Sequence, residues 1–345
     1  MLLSLCIGVA SCDAALSASS GALPEVRQVP IGAANEMAVR EEVINTTWAL
    51  LEMRDFAGVD RLAKTYRDRR ERTPSGTFKA AYVYYTIGDF LRDNGRAPCG
   101  EQRQAYVEDW IKAVPQSPPA IIAYAHDFVL QGLCARGLGD RLKPKGQSTF
   151  DSKMQIAAVA LQDNKTAAAE DPQWYAMMEE IATYQRWDES RFEALHAEAV
   201  SKYNWYYQIY FQAGRYYLPR WGGNVEAFDR FARRSVERTR ATDGTGLYAR
   251  LYWIATQEGG LYHDLKHYSR ADLDLLRTSM RDVASRYPDL WNYNYFAWIS
   301  CRNEMFGETK TYLDRITDPP SYPPWPTPAA FTACKYMADR TAPSV

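Results

Sequence analysis

From Glu36 onward, apolar residues return at every third or fourth position along most of the chain. Trp48, Leu51 and Phe56 lead into Val59, Leu62, Ala63 and Tyr66. This spacing puts an apolar stripe on successive amphipathic helices. Gly58, just past Arg54-Asp55-Phe56, predicts a tight helix hairpin. A second helix, Thr77 to Arg92, carries Phe78, Tyr82, Tyr85 and Phe90 and stops at Asn94-Gly95. The next opens at Pro98-Cys99 and bears Tyr106 and Trp110. Pro118-Pro119 begins another, through Ile122, Ala125 and Val129 to Cys134, ended by Gly137 and Gly139. Beyond the basic, Gly/Pro-punctuated connector Leu138 to Gln147, the pattern predicts helices at Phe150–Gln162, Pro172–Tyr184, Glu189–Lys202, Trp205–Leu218 and Val225–Thr239. Leu247–Gln257, Arg270–Arg286, Leu290–Asn303, Glu308–Ile316 and Pro328–Ala338 follow. Period-two β-branched strands are absent, so the predicted fold class is all-α. The connector divides it into an N-terminal helical subdomain, 35–140, and a C-terminal helical-repeat subdomain, 141–345.

Certain helix openings recur. They are Pro172-Gln173-Trp174-Tyr175, Asn204-Trp205-Tyr206-Tyr207, Thr245-Gly246-Leu247-Tyr248 and Pro288-Asp289-Leu290-Trp291. From Tyr206 to Tyr248 to Trp291 the steps are 42 and 43 residues, within the roughly 34 to 47 of helical solenoids. The repeat is degenerate: Ala213 and Ala255 follow the first two landmarks by seven, and Trp298 follows the third. Trp48 through Arg67, Tyr203 through Arg234 and Tyr287 through Ile316 resemble a family of uncharacterised bacterial exported proteins with tetratricopeptide-like helical repeats. Tyr217-Leu218-Pro219-Arg220-Trp221-Gly222-Gly223 and Arg286-Tyr287-Pro288 are its most distinctive segments. The resemblance implies helix hairpins stacked as an α-solenoid. It carries no catalytic residue, and fold alone supplies no activity.

The N-terminus breaks the helical pattern. Met1 to Ala10 is apolar and ends at Val9-Ala10-Ser11-Cys12. This looks like a bacterial lipoprotein export signal, residues 1–12, with Cys12 as the lipidated first residue of the mature chain. No Lys or Arg precedes the apolar run, and Gly8-Val9-Ala10 and Ala15-Leu16-Ser17 also offer small-residue cleavage sites. Plain secretion and a coincidental apolar terminus are the alternatives. Residues 13–34, rich in Ala, Ser, Gly and Pro, read as a flexible tether. The signal is shorter than the about 20 residues a spanning helix needs, so the membrane is reached through the lipid anchor alone. The expected location is the bacterial envelope, facing the periplasm.

Composition narrows the partners. Lys+Arg number 41 and Asp+Glu 42, a net charge of -1, which leaves no field to gather nucleic acid. The cluster Arg67-Asp68-Arg69-Arg70-Glu71-Arg72 interleaves both signs and reads as a solvated helix end. Tyr, at 24 residues against 12 Phe, suits helix seams at the edge of water or a ligand groove. Of six cysteines, Cys99, Cys134, Cys301 and Cys334 lie in the mature chain past Cys12. An oxidising compartment favours two disulfides. Four cysteines allow three pairings; Cys99–Cys134 and Cys301–Cys334 join neighbouring helices. Zinc is the alternative, without a Cys-x-x-Cys to support it.

Little in the chain points to chemistry. His263 and His267 have helical metal-site spacing, but no glutamate completes a His-Glu-x-x-His motif and Gly259-Gly260 precede them. Glu179 and Glu180 are adjacent on one helix, so they diverge and do not form the facing carboxylates of a glycosidase. Asp188-Glu189 reads as a helix cap. Asp272 and Asp274 lack the other ligands of a calcium loop. No catalytic residue, metal or cofactor is assigned. Trp205 to Phe211 is aromatic on all sides, as in a buried central helix. The segment after it holds the candidate binding residues Arg215, Tyr217, Arg220 and Trp221. Pro219 stops one helix, Gly222 and Gly223 turn the chain, and Asn224 caps the next. A structural corner and a site for a peptide or glycan are both open readings.

The expected function is a lipid-anchored envelope module or scaffold that recognises a protein or peptide, with glycan as a further ligand class. A glycan hydrolase or lyase on paired helices and a purely structural subunit are the alternatives. A closed helical toroid with facing carboxylates in a central cleft favours the enzyme. An open superhelix without polar convergence favours the scaffold.

Overall fold

The computed structural model describes residues 35–93, 101–137, 143–258, 260–316 and 324–341. Cys12, the tether and Cys99 lie outside the described residues. The fold is all-α, with seventeen α-helices among the described residues. In chain order they begin α1 (Glu36–Glu52), α2 (Phe56–Arg69), α3 (Lys79–Asp93), α4 (Glu101–Ala113), α5 (Pro118–Arg136) and α6 (Gln147–Asp163). Then come α7 (Lys165–Ala168), α8 (Pro172–Tyr184), α9 (Glu189–Tyr203), α10 (Tyr207–Tyr216), α11 (Val225–Asp243) and α12 (Gly246–Gln257). The last are α13 (Leu265–Tyr268), α14 (Leu273–Arg286), α15 (Leu290–Arg302), α16 (Phe306–Leu313) and α17 (Pro328–Thr341).

Two kinds of helix alternate. In α8 every residue from Pro172 to Thr183 is buried, and α10 and α12 are buried as completely. Between them, α9, α11 and α14 are buried along one stripe each, such as Phe192, Leu195, His196 and Ala199 on α9. The recurring openings of the sequence lead into α8, α10, α12 and α15 and so mark the buried row. Each helix packs on its chain neighbours: α8 on α9 and α10, α11 on α10 and α12, α14 on α12 and α15, α16 on α15 and α17. The sequential packing agrees with helix hairpins. Helices α5 and α6, on either side of the connector, pack closely along each other, and one hydrophobic core runs from Val43 to Ala338.

The tyrosines explain how so buried a row stays polar enough to be specific. Tyr206 donates to Gln173 Oε1 at 2.7 Å, Tyr207 to Asp243 Oδ1 at 2.6 Å and Tyr248 to Asp229 Oδ1 at 2.6 Å. Burying such a ring stabilises by about 1.5–3 kcal/mol. An unpartnered hydroxyl returns about 1–3 kcal/mol of that, so the buried acceptors decide the balance.

Caps fall where the sequence puts them. Asp188 accepts from Arg191 N at 2.9 Å, Asn224 from Ala227 N at 2.8 Å, and Asp272 from Asp274 N and Leu275 N. Helix ends shift for local reasons. The expected Trp205–Leu218 shortens to α10 because Tyr206 keeps extended backbone and Pro219 opens a 3-10 turn. The expected Arg270–Arg286 opens at Leu273 because Asp272 is its cap. The reading of 67–72 as a solvated helix end needs correction. After α2, Arg70 turns left-handed at φ 50°, and two of the arginines face inward. Arg67 Nη1 meets Asp171 Oδ2 at 3.0 Å; Arg72 Nη1 donates to Tyr207 Oη at 2.7 Å.

Disulfide Cys301–Cys334 joins α15 to α17, with Cα atoms 5.7 Å apart. Cys134 is also disulfide-bonded. Both fit an oxidising compartment. Among the described residues no helix is long and apolar enough to cross a membrane.

Candidate functional site

The C-terminal ends of α5, α8, α10 and α12 meet at one rim of the buried row. The four residues singled out in sequence lie there, and the chain's turn explains how they are held. Gly222 adopts φ 98°, and a Cβ on Gly223 would sit 2.0 Å from the Tyr217 carbonyl oxygen. The backbone therefore doubles back tightly enough to lay Trp221 on Tyr184, ring centroids 5.3 Å apart.

The four residues divide by depth. Tyr217 is buried; its hydroxyl donates to Glu193, which Arg234 Nη2 also contacts at 2.7 Å. Arg215 is largely enclosed. Its Nε lies 2.9 Å from Glu258 Oε1 and its Nη1 3.6 Å from Glu180 Oε1. Burial opposes the Arg215 charge, yet Glu258, Tyr184 and Glu180 together hold its pKa above the ordinary value. Tyr217 and Arg215 are thus committed to the corner. Arg220 is exposed, with Nη1 3.3 Å from the Glu258 carbonyl oxygen. Trp221 is half-buried, and its indole Nε1 is enclosed without an acceptor.

Two residues that sequence reasoning missed complete the rim. Arg136, the last residue of α5, stacks with its guanidinium carbon 3.8 Å from the Phe150 ring centroid and 5.8 Å from that of Tyr184. Its Nε is buried without an acceptor. Burial lowers its pKa, and repulsion from Arg220 and Arg186 adds to this, only partly offset by Tyr184 and Asp151. Arg186 is exposed at φ 53°, two residues past Tyr184. An arginine at or just past a helix C-terminus is commonplace, so the pattern of these positions carried no signal.

Glu179 and Glu180 diverge as expected, and both are buried. Glu180 accepts from the Tyr184 hydroxyl at 3.1 Å and faces Arg215. Burial raises its pKa, and Arg215 opposes the rise. Glu179 Oε1 lies 2.8 Å from His196 Nδ1. Burial, then the Glu193 charge, pushes Glu179 well above its ordinary range; burial, then Arg238 and Arg234, pushes His196 down to about 3. His196 is walled in by Tyr210 and Phe231. His196 was legible: it falls on the apolar stripe of α9, where a polar residue must find a buried partner.

Elsewhere the chemistry is sparse. His267 is exposed and pairs with Asp264 at 2.9 Å, and no group of three metal-ligating side chains gathers among the described residues. A cleft of about 410 Å³ opens between α4, α5 and α6, lined by Ile111, Ile121, Tyr124, Ile156 and Val159. Its lining is mostly apolar, with Gln155 and Asn164 as its amide side chains, and carries no charged group. Comparison with protein-family models, curated proteins and solved structures gives no match.

Proposed function

We propose that this chain is an exported, lipid-anchored helical-repeat interaction module of a bacterial envelope, and that its ligand contacts the rim around Trp221. One observation carries the site: Arg220 and Trp221 stay accessible on a corner that Arg215, Tyr217 and the Gly222-Gly223 turn make rigid. A rigid aromatic beside an arginine is the usual anchor of a binding surface. The tetratricopeptide-like landmarks and the disulfide favour the same reading. Catalysis is less favoured, because Glu180 and Glu258 both neutralise Arg215.

The test combines anchoring with capture. Cys12→Ala should move the protein from the membrane to the soluble fraction. Arg220→Ala and Trp221→Ala should reduce capture of a cross-linked, identified envelope partner at least tenfold. Arg220→Ala should leave the melting temperature within about 1 °C, as exposed substitutions do. Membrane association without acyl mass on Cys12 would reject the anchor. Full capture by both rim variants would reject the surface.

A further inference from the structure

The geometry points to an oxyanion-binding site at this rim, in which Arg136, Arg186, Arg220 and the Trp221 indole hold a phosphoryl group. The inference rests on the rim being the ligand surface proposed above. Among the described residues none of the Arg136, Arg186 and Arg220 guanidinium groups lies within ion-pair distance of a carboxylate, whereas the adjacent Arg215 has two, and Arg186 and Arg220 are near enough to Arg136 to lower its pKa. Arg136 and Trp221 flank one ring, that of Tyr184, at 5.8 and 5.3 Å. Each keeps a buried N–H without an acceptor.

Buried donors without partners are rare in folded proteins, and each costs about 1–3 kcal/mol. Two against a single ring, on a rim where three arginines lie without a described carboxylate in ion-pair reach, suit one ligand of high charge and several oxygens. The carbonyl ends of α5 and α8 offset part of the positive charge. They bond neither Arg136 Nε nor the indole. Guanidinium groups that come from three separate segments, the end of α5, the turn after α8 and the Pro219–Trp221 turn, suit a tetrahedral dianion better than a planar carboxylate, because each oxygen can face a different donor. Stacking on Phe150 fixes the plane of Arg136, so its fork is preorganised.

The phosphoryl group belongs either to a soluble ester or to a lipid headgroup. The full chain, labelled with ¹⁵N at arginine, would be titrated at constant ionic strength while the arginine Nε–H resonances are followed. The probes are inorganic phosphate, glycerol phosphate and acetate, then phosphatidylglycerol and phosphatidylcholine vesicles. Saturable shifts of the Arg136, Arg186 and Arg220 resonances are expected, with acetate at least tenfold weaker than phosphate. Glycerol phosphate binding assigns a soluble ester; response to phosphatidylglycerol vesicles alone assigns a headgroup. Arg186→Gln and Arg220→Gln, both at exposed positions, should each weaken binding at least fivefold, and Arg277→Gln on α14 should leave it unchanged. Arg136→Gln should abolish it. Absence of saturable shifts with every probe, or wild-type affinity in the Arg186→Gln/Arg220→Gln double variant, would overturn the site. Phosphate binding without any captured partner would support the site and count against the module reading alone.

Discussion

Glu179 and His196 show what one buried contact does to the pH response of the molecule. Unfolded, they titrate near their ordinary values of 4.5 and 6.5. Folded, Glu179 is shifted well up and His196 down to about 3; if the raised carboxyl keeps its proton across the interval between those values, the native pair holds one proton there. The unfolded chain also holds one there, on His196. The pair therefore contributes no slope between pH 4.5 and 6.5. Its stabilisation falls below 4.5, where unfolding takes up a proton, and above 6.5, where unfolding releases one. Single substitutions break this balance in opposite directions. Glu179→Gln leaves the depressed histidine, whose contribution is complete above 6.5 and is lost as pH falls towards about 3. His196→Gln leaves the raised carboxyl, whose contribution is complete below 4.5 and is lost as pH rises. Relative to the wild type, each should add a slope approaching about 1.4 kcal/mol per pH unit. Urea unfolding at several pH values from 4.8 to 6.2 measures both slopes. Slopes of equal sign would show that the two groups do not share the proton.

At the scale of the element, α17 is the helix most dependent on one covalent tie. It exposes Tyr336 and Met337, buries Cys334 and Ala338, and is fixed to α15 by Cys301–Cys334. Closing a loop of that length stabilises by roughly 3–4 kcal/mol in the chain-entropy account. Cys301→Ser/Cys334→Ser should raise hydrogen exchange in Pro328–Thr341 by more than tenfold. Exchange in α8, α10 and α12 should stay near the wild-type rate. A uniform rise across all four helices would mean that α17 unfolds only with the whole. Elements were also what the sequence displayed best. The cap at Asn224, the stop at Pro219 and the opening of α8 at Pro172 follow from local backbone chemistry, so they are readable locally. Of the rim, the half built by Arg215, Tyr217, Arg220 and Trp221 was legible because those residues are contiguous. Arg136 and Arg186 were not, because they come to this rim from distant parts of the chain and nothing along it records that approach.

At the scale of the whole molecule, the N-terminal segment is tied to the start of α12 and of α15. Ser75, in the loop between α2 and α3, donates its N–H to Glu36 Oε2 at 2.7 Å, and its carbonyl accepts from Arg250 Nη2 at 2.7 Å and Asn292 Nδ2 at 3.2 Å. Glu36 N donates to Asp289 Oδ2 at 3.3 Å, and the Arg40 guanidinium lies 3.6 Å from the Trp291 ring centroid. The start of α1 and this loop thus seal the N-terminal rim of the buried row, opposite the arginine rim. Gly76 makes the seal possible. It adopts φ 86°, and a Cβ there would meet Tyr287 at 2.6 Å and Arg250 at 2.7 Å. Gly76→Ala should therefore cost stability twice, through backbone strain and through displacement of the loop from α12 and α15. Arg250→Met leaves the Ser75 carbonyl with one buried donor fewer. It should cost about 2–3 kcal/mol, whereas Arg240→Met, at an exposed helix pair, should leave stability close to that of the wild type. Both substitutions open the same seam, so the double variant should lose less than the sum of the singles, by about 1 kcal/mol or more. Denaturant unfolding of the four species measures this coupling. Strict additivity would mean that Gly76 and Arg250 act separately, and that the N-terminal segment and α12 are neighbours without being mutually supporting.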